Sequence, residues 1–217
     1  MTERDSQGVV FTRESNYYIV GTNQRNDNNA ESNLSSVVLP SKFNGAPVKA
    51  IGDFAFRKST TLVSVFIPNT VEELRIDCFS YAKTLKTVLF ADNSKLRKIE
   101  LGVFHWTDIK HIVIPPSVKT FDINCFARTT LESIFVCGIP SSINPSIFGT
   151  NHQSNFLAFP AQMYVNERFP FDKFGDFENI TRSSSCNLNI NTRCINRRHS
   201  STRTITKFTL ILILRTS

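Results

Sequence analysis

The sequence predicts an α/β-type solenoid, a repeat array with short parallel β-strands on its concave face and an N-terminal β-hairpin cap. Two observations lead to this fold class. An apolar pattern that begins at Leu62 returns at Leu85, Ile109 and Leu131, which gives periods of 23, 24 and 22 residues. A phenylalanine also lies near the end of each repeat. Because a unit this short cannot bury its own apolar face, neighbouring repeats must stack.

The chain divides into three predicted regions. Residues 1–33 contain two β-prone runs, at 9–11 and 17–20, which we expect to form the cap hairpin before a polar surface loop at 21–33. Residues 34–178 hold the repeat array, which ends in an irregular repeat. Residues 179–217 carry seven basic residues and no acidic one. This tail has too few apolar residues to fold alone, so we expect it to be disordered.

Each repeat opens with a predicted strand. Apolar residues follow the opening residue three and five positions later, as Val65 and Ile67 follow Leu62. This alternation is typical of a strand with one buried face, and a proline such as Pro68 ends it because proline has no amide hydrogen to donate. A looser copy begins at Leu34, so the sequence contains five copies.

The second half of each repeat returns the chain to the next strand. An apolar residue lies twelve positions after three of the opening residues, at Leu74, Phe121 and Ile143, and an insertion moves its counterpart to Ile99. The closing phenylalanines are predicted to form one buried stack: Phe56, Phe79, Phe104, Phe126 and Phe148. The residues just before them share one further buried position: Ala55, Cys78, Val103, Cys125 and Ile147.

Two segments, IPNTVEELRIDCFSYAKTL and IPPSVKTFDINCFARTTL, resemble the treponemal-type leucine-rich repeats of BspA-like surface proteins. Their pattern is L-x-x-I-x-I-P-x-x-V-x-x-I-x-x-x-A-F-x-x-C-x-x, and the resemblance extends over roughly residues 9–150. It implies a leucine-rich-repeat fold and a cell-surface adhesin or antigen. At the late cysteine of the pattern this chain has Ser59, Ala82 and Arg128.

The five cysteines predict no disulfide framework. Cys78 and Cys125 are two repeats apart, roughly 10 Å at strand spacing, which is too far for a disulfide. Cys137 ends a predicted strand, and we expect a free thiol there. Only Cys186 and Cys194 could then pair.

The residues two and four positions after each opening residue should point out of the concave face because side chains alternate along a strand. The polar column is Ser36, Ser64, Thr87, His111 and Ser133, and the apolar column is Val38, Phe66, Leu89, Val113 and Phe135. Exposed apolar patches often mark partner surfaces, although parallel strands favour such residues in any case. The candidate partner-binding residues are Ser64, Phe66, Thr87, Leu89, His111, Val113, Ser133 and Phe135.

The sequence favours binding over chemistry. Its four histidines are scattered, no catalytic or phosphate-binding motif is present, and we expect no cofactor or metal. Arg197 and Arg198 have no aromatic platform, so no nucleic-acid partner is expected. Together with these absences, the family resemblance implies a non-enzymatic protein-interaction module, a surface adhesin or antigen that binds a host protein or glycan through the concave face. The third class of function is an enzyme that uses His111 as its catalytic base.

The resemblance implies a cell-surface or extracellular location, and the sequence itself adds no targeting signal to it. The N-terminal stretch MTERDSQG is not a secretory signal peptide, because it has neither a basic start nor an apolar run. The apolar run at 210–214 is too short for a membrane helix and is typical of an aggregation-prone strand. An intracellular leucine-rich-repeat scaffold or a truncated family member is therefore the alternative. The oligomeric state is not specified, although an open C-terminal coil favours end-to-end pairing.

Overall fold

The structure is a computed structural model that describes residues 1–22, 24, 27–30, 33–149, 160–184 and 186. These residues form sixteen strands and no helix, so the α/β designation is wrong. The strands are β1 (Thr2–Arg4), β2 (Val10–Glu14), β3 (Tyr17–Val20), β4 (Ser36–Val38), β5 (Lys42–Phe43), β6 (Ala46–Ile51), β7 (Ser64–Ile67), β8 (Glu73–Leu74), β9 (Thr87–Phe90), β10 (Lys98–Ile99), β11 (His111–Ile114), β12 (Thr120–Phe121), β13 (Ser133–Val136), β14 (Ser142–Ile143), β15 (Gln162–Asn166) and β16 (Ile180–Ser183).

The strands that open the repeats form two parallel sheets. One has the order β4-β7-β9, and the other has the order β11-β13-β15-β16. Equivalent residues of successive repeats are paired, as Val65 pairs with Val88 and Ile112 with Ile134. The predicted strand spacing is therefore confirmed, and each ladder satisfies the backbone groups of its neighbour. Leu34, predicted to open the first copy, is exposed and lies before β4.

The return segments form a second parallel ladder, which the sequence analysis did not predict. β6, β8, β10, β12 and β14 lie side by side in a nine-stranded sheet. The apolar residue of each return is the paired one: Ile51 with Leu74, Leu74 with Ile99, Ile99 with Phe121, and Phe121 with Ile143. Two-residue strands and turns thus occupy the places where an α/β array would have helices.

The opening sheet is interrupted between β9 and β11, whereas the return sheet is continuous there. Among the described residues, β9 and β11 are assigned to different sheets. Five residues, 80–84, connect Phe79 to the next opening leucine, but only four, 105–108, connect Phe104 to Ile109. The loss of one residue occurs at the same place in the chain as the interruption.

The five closing phenylalanines form the predicted stack. Their ring centroids are 5.4, 5.8, 5.4 and 6.1 Å apart in chain order, and all five rings are buried. The neighbouring position, which includes Cys78 and Cys125, is buried as well. Each fully buried ring contributes about 1.5 to 3 kcal/mol through removal of apolar area from water. The interior is therefore continuous from repeat to repeat.

The residue three positions after each phenylalanine is also buried. The structure places Ser59, Ala82, Thr107 and Thr129 there. The assignment of Arg128 to this position is wrong by one residue, because the shorter connector shifts the alignment. Thr107 and Thr129 each donate a 2.9 Å hydrogen bond to the carbonyl oxygen of the preceding phenylalanine. These hydroxyls meet backbone acceptors where the family pattern has a thiol.

The predicted N-terminal hairpin is confirmed. β2 and β3 are antiparallel, with Phe11 opposite Val20, and β3 joins β6 in the parallel direction. β1 adds a third antiparallel strand that was not predicted. In the segment that we expected to be a surface loop, Asn29 is buried and its side chain donates a 2.8 Å hydrogen bond to the carbonyl of Asp53.

The C-terminal part continues the array beyond the predicted limit. β15 pairs with β13, and β16 pairs with β15. The prediction of a disordered tail from residue 179 onward is therefore wrong for residues 180–183. Phe174 and Phe177 are buried, with their rings 5.3 Å from Phe121 and 6.2 Å from Phe148. The predicted tail at 187–217, including the apolar run and Cys194, lies outside the described residues.

A disulfide joins Cys137 to Cys186, with their Cα atoms 5.4 Å apart. The predictions of a free thiol at Cys137 and of a pair between Cys186 and Cys194 are therefore wrong. The reason is β16, whose course beside β15 brings Cys186 back to the end of β13. Cys78 and Cys125 remain free and buried, as predicted.

Candidate interaction surfaces

The outward side chains of β4, β7 and β9 make an apolar stripe beside a polar column. Val38, Phe66 and Leu89 are in register, and so are Ser36, Ser64 and Thr87. Val38 is 42% exposed and Leu89 is 37% exposed, whereas Phe66 is half-buried. The alternate residues Val37, Val65 and Val88 are buried. We call these six outward residues the opening-strand face.

The polar column of this face is hydrogen-bonded along the sheet. The Ser64 hydroxyl donates a 2.8 Å hydrogen bond to the Ser36 hydroxyl oxygen one strand away. Thr87 lies next in register and is partly exposed. The three hydroxyl groups present both donors and acceptors next to an apolar stripe. Such a mixture is suited to a partner with apolar and polar groups on one surface.

The other four candidate residues lie in the second opening sheet. His111 is in register with Ser133, and Val113 with Phe135. Ser133 is only 6% exposed and Phe135 only 9%, so the expectation that they face solvent is wrong. The ring of Tyr164 stacks on Phe135, with centroids 4.1 Å apart. Tyr164 comes from β15, which lies outside the regular repeats, so the repeat pattern gave no signal for it.

A polar cluster surrounds His111. Its Nδ1 atom lies 2.8 Å from the Ser133 hydroxyl oxygen, and its Nε2 atom lies 3.8 Å from Glu132 Oε2. The other Glu132 oxygen accepts a 2.7 Å hydrogen bond from Lys110, which lowers the pKa of the carboxyl. The Glu132 carboxylate is thus held by Lys110 and is beyond hydrogen-bond distance of the imidazole. The cluster lacks the base-to-acid hydrogen bond of a nucleophilic triad.

A second surface was not found by sequence reasoning. It lies in the turns around the closing phenylalanines and consists of alternating cations and rings, which we call the cation–aromatic column: Phe54, Arg57, Tyr81, Lys83, Trp106 and Arg128. Arg57 lies over the rings of Phe54 and Tyr81, at 5.2 and 5.4 Å from the centroids. Lys83 and Arg128 lie over Trp106, at 5.2 and 5.1 Å. The sequence signal is that three of its members, Tyr81, Trp106 and Arg128, lie two residues after a closing phenylalanine.

His105 lies against this column, and its surroundings lower its pKa. Its ring is 5.2 Å from Tyr81. Burial lowers its pKa to about 4, and the charges of Arg128 and Arg57 act in the same direction. His105 is therefore neutral at neutral pH, and its environment disfavours a further positive charge.

The two free cysteines of the described residues are buried. Burial raises the pKa of the Cys78 and Cys125 thiols well above the usual range, which makes both poor nucleophiles. In the part of the chain that the structure describes, no group of three His, Cys, Asp or Glu side chains could hold a metal ion. Within the same residues, there is no helix of the length and apolarity that a membrane crossing requires.

A family model for the BspA type leucine rich repeat region matches residues 26–155 in six copies, more than half of the chain. The chain belongs to the BspA-type leucine-rich-repeat family. The matched range of this BspA-type chain starts before β4 and ends after the last closing phenylalanine. The sequence resemblance is thereby confirmed, and the model counts one copy more than the sequence pattern.

Solved bacterial leucine-rich-repeat structures are similar to the BspA-type chain. The T. pallidum leucine rich repeat protein has a TM-score of 0.60 at 21% identity, covering 75% of this chain and 71% of that one. A leucine-rich repeat protein from Bacteroides capillosus ATCC 29799 has a TM-score of 0.49 at 22% identity, covering 61% and 96%. The pneumococcal vaccine antigen PcpA has a TM-score of 0.42 at 14% identity, covering 78% and 65%. No curated protein matches the sequence significantly. The T. pallidum likeness shows the repeat fold and carries nothing about a ligand.

Proposed function

We propose that this BspA-type chain is a non-enzymatic interaction module that binds a protein or glycan through its opening-strand face. In this proposal the opening strands line the concave side of a right-handed solenoid, and the N-terminal hairpin caps its first repeat. The observation that carries the proposal is the exposed apolar stripe of Val38, Phe66 and Leu89, in register on three parallel strands. An apolar stripe on a rigid ladder loses contact with water when a partner covers it.

The structure changes which residues we propose as contacts. Ser64, Phe66, Thr87 and Leu89 remain, and Val38 and Ser36 join them. His111 and Val113 stay as flanking contacts, since both are at least partly exposed. Ser133 and Phe135 are withdrawn because they are buried. The proposed contact area thus lies mainly in the first opening sheet.

A pair of matched variants tests this contact area. Leu89→Glu places a charge on the opening-strand face, whereas Leu101→Glu places one at a leucine outside it with nearly the same exposure, 37% against 38%. Both proteins are applied to a panel of immobilised extracellular-matrix proteins and to a glycan array. We expect Leu89→Glu to lose at least tenfold in affinity for any bound component and Leu101→Glu to lose less than twofold. Equal behaviour of the two variants would remove the face from the proposal.

We further propose a cell-surface location. The Cys137–Cys186 disulfide supports it, because structural disulfides persist in oxidising compartments and are rare in the cytosol. The alternative is an intracellular scaffold that uses the same face. Treatment of intact source cells with protease separates the two: loss of the repeat array on an antibody blot places it outside, and loss only after lysis places it inside.

A further inference from the structure

The two sheets of the array end differently on the N-terminal side. The return sheet continues beyond β6 into β3, β2 and β1, so the strands of the cap close it. The opening sheet ends at β4, and no strand of the described residues lies beyond it. β4 is therefore an edge strand, and the main-chain groups on its outer side would be left to solvent or to another chain.

A glutamine side chain occupies this outer edge. Leu39 donates its N–H to the carbonyl oxygen of Phe66 in β7 at 3.1 Å, so Val38, one position earlier, faces the other way. The Val38 N–H donates a 3.2 Å hydrogen bond to Gln7 Oε1, and the Val38 carbonyl oxygen accepts a 2.9 Å hydrogen bond from Gln7 Nε2. The Gln7 amide thus makes with Val38 the two hydrogen bonds that a residue of a neighbouring antiparallel strand would make.

A tight turn holds the Gln7 amide in this position. Gln7 Nε2 also donates a 3.1 Å hydrogen bond to Asp5 Oδ2, while Asp5 Oδ1 accepts hydrogen bonds from the N–H groups of Gln7 and Val9, both at 2.9 Å. Gly8 has the positive φ of 79° on which this turn depends. The reverse orientation of the amide would bring Oε1 against two acceptors, the Asp5 carboxylate and the Val38 carbonyl oxygen. The partners of the amide therefore fix its orientation.

The segment that contains β4 has the composition of an association-prone edge. Residues 34–39 have the sequence LSSVVL, with no charged residue and no proline. Leu34 is 40% exposed and Val38 is 42% exposed. Short segments of high β-propensity and low charge tend to pair with another chain when their edge is open, and edge strands are usually protected by charges or by proline. β4 itself carries neither of these protections.

A second copy of this chain fits such an edge. Two β4 strands can pair antiparallel about a two-fold axis, because the same edge then meets itself. Since residues 34–39 carry no charge, this pairing brings no like charges opposite each other. It would also cover the exposed side chains of Leu34 and Val38 in both copies. The chemistry of the edge therefore matches its own duplicate.

We propose that Gln7 keeps the outer edge of β4 closed to the β4 edge of a second copy of the chain. The Gln7 amide takes the two main-chain groups of Val38 that edge-to-edge pairing needs. Removal of this amide leaves both groups available to another strand. The proposal concerns the main-chain edge of β4 rather than the outward side chains of the opening-strand face, so it does not depend on the proposed binding function.

The test is self-association of the full chain, measured by sedimentation velocity over roughly a hundredfold range of protein concentration. Gln7→Ala removes the amide from the edge. Gln162→Ala is the matched control, because it removes an exposed glutamine amide from β15, a strand that is paired on both sides. The double variant Gln7→Ala/Val38→Pro also removes the outward N–H of β4, at an edge position where proline is tolerated. Residues 187–217 are present in every protein, so any association through them is common to all.

We expect Gln7→Ala to dimerise at least about tenfold more tightly than the wild-type chain, and Gln162→Ala to stay within about threefold of wild type. Association should stop at the dimer, because each chain has one such edge. The double variant should return to wild-type behaviour. The proposal is overturned if Gln7→Ala associates no more than the control, if it forms assemblies larger than a dimer, or if the double variant associates as strongly as Gln7→Ala. Association caused by local unfolding would persist in the double variant and so counts against the proposal.

Discussion

Removal of the Cys137–Cys186 disulfide gives the sharpest stability prediction. The two residues are 49 positions apart, and a cross-link over a loop of that length restricts the unfolded chain by about 4 kcal/mol of loop-closure free energy at 25 °C. Cys186→Ser should therefore lower the free energy of unfolding by about that amount. The chain-entropy model attributes this change to the unfolded state rather than to lost native contacts.

The assay is urea unfolding followed by far-ultraviolet circular dichroism. With a denaturant slope of about 2 kcal/mol per molar, the midpoint of Cys186→Ser should fall by about 2 M. Wild-type protein in a reducing dithiol should unfold at the same midpoint as the variant. Ser184→Ala, a change at an exposed neighbour, should remain within about 0.5 kcal/mol of wild type.

Hydrogen exchange adds a local measurement. Two of the four residues of β16 are exposed, and Cys186 follows this strand closely in the chain, so the cross-link should limit the opening of β16. The amides of residues 180–183 should exchange faster in Cys186→Ser, whereas those of β7 should keep their protection. The reasoning is refuted if the urea midpoint and the amide exchange at 180–183 are both unchanged. Strand pairing alone would then account for the stability of this region.

Three further predictions concern the interior. Phe79→Ala should destabilise the protein by about 3 to 5 kcal/mol in urea unfolding, because the ring packs between two stacked neighbours, whereas the exposed Phe171→Ala should change it by less than about 0.5 kcal/mol. Since the pKa of His105 is about 4 in the folded protein and near 6.5 when unfolded, the unfolded state binds more protons between these values. Stability should therefore fall by about 1 to 2 kcal/mol from pH 6.5 to pH 4, after allowance for the partial exposure of the ring, and His105→Gln should flatten this pH dependence. The Cys78 and Cys125 thiols should react with an aromatic disulfide reagent at pH 8 only when denaturant is added, and rapid reaction of the native protein would show that one of them is accessible.

Much of the fold could be predicted because the apolar positions of the repeat pattern are the positions that become buried. Positions that recur with the same apolar character became the paired and buried residues of both ladders, and the phenylalanine spacing became the stack. The return strands were missed because two residues are too few to show an alternation. The α/β designation came only from the general form of such arrays.

The parts that could not be predicted depend on segments outside the repeat. Tyr164 covers Phe135, and β16 brings Cys186 to Cys137, but neither belongs to a recurring pattern. The cation–aromatic column was missed for a different reason. Three of its residues, Tyr81, Trp106 and Arg128, share a left-handed backbone conformation rather than a chemical type, so they do not look equivalent in the sequence.

The interruption between β9 and β11 gives the array a mechanical property. On the return side, hydrogen bonds run without a break from β6 to β14, but on the opening side the two sheets lack a shared ladder among the described strands. A bending force would therefore act mainly at the junction between β9 and β11, where, of the two kinds of ladder, only the return sheet continues from one half of the array to the other. The Phe104–Phe126 contact, with ring centroids 5.4 Å apart, spans the same junction, so the phenylalanine stack also joins the two halves of the array there.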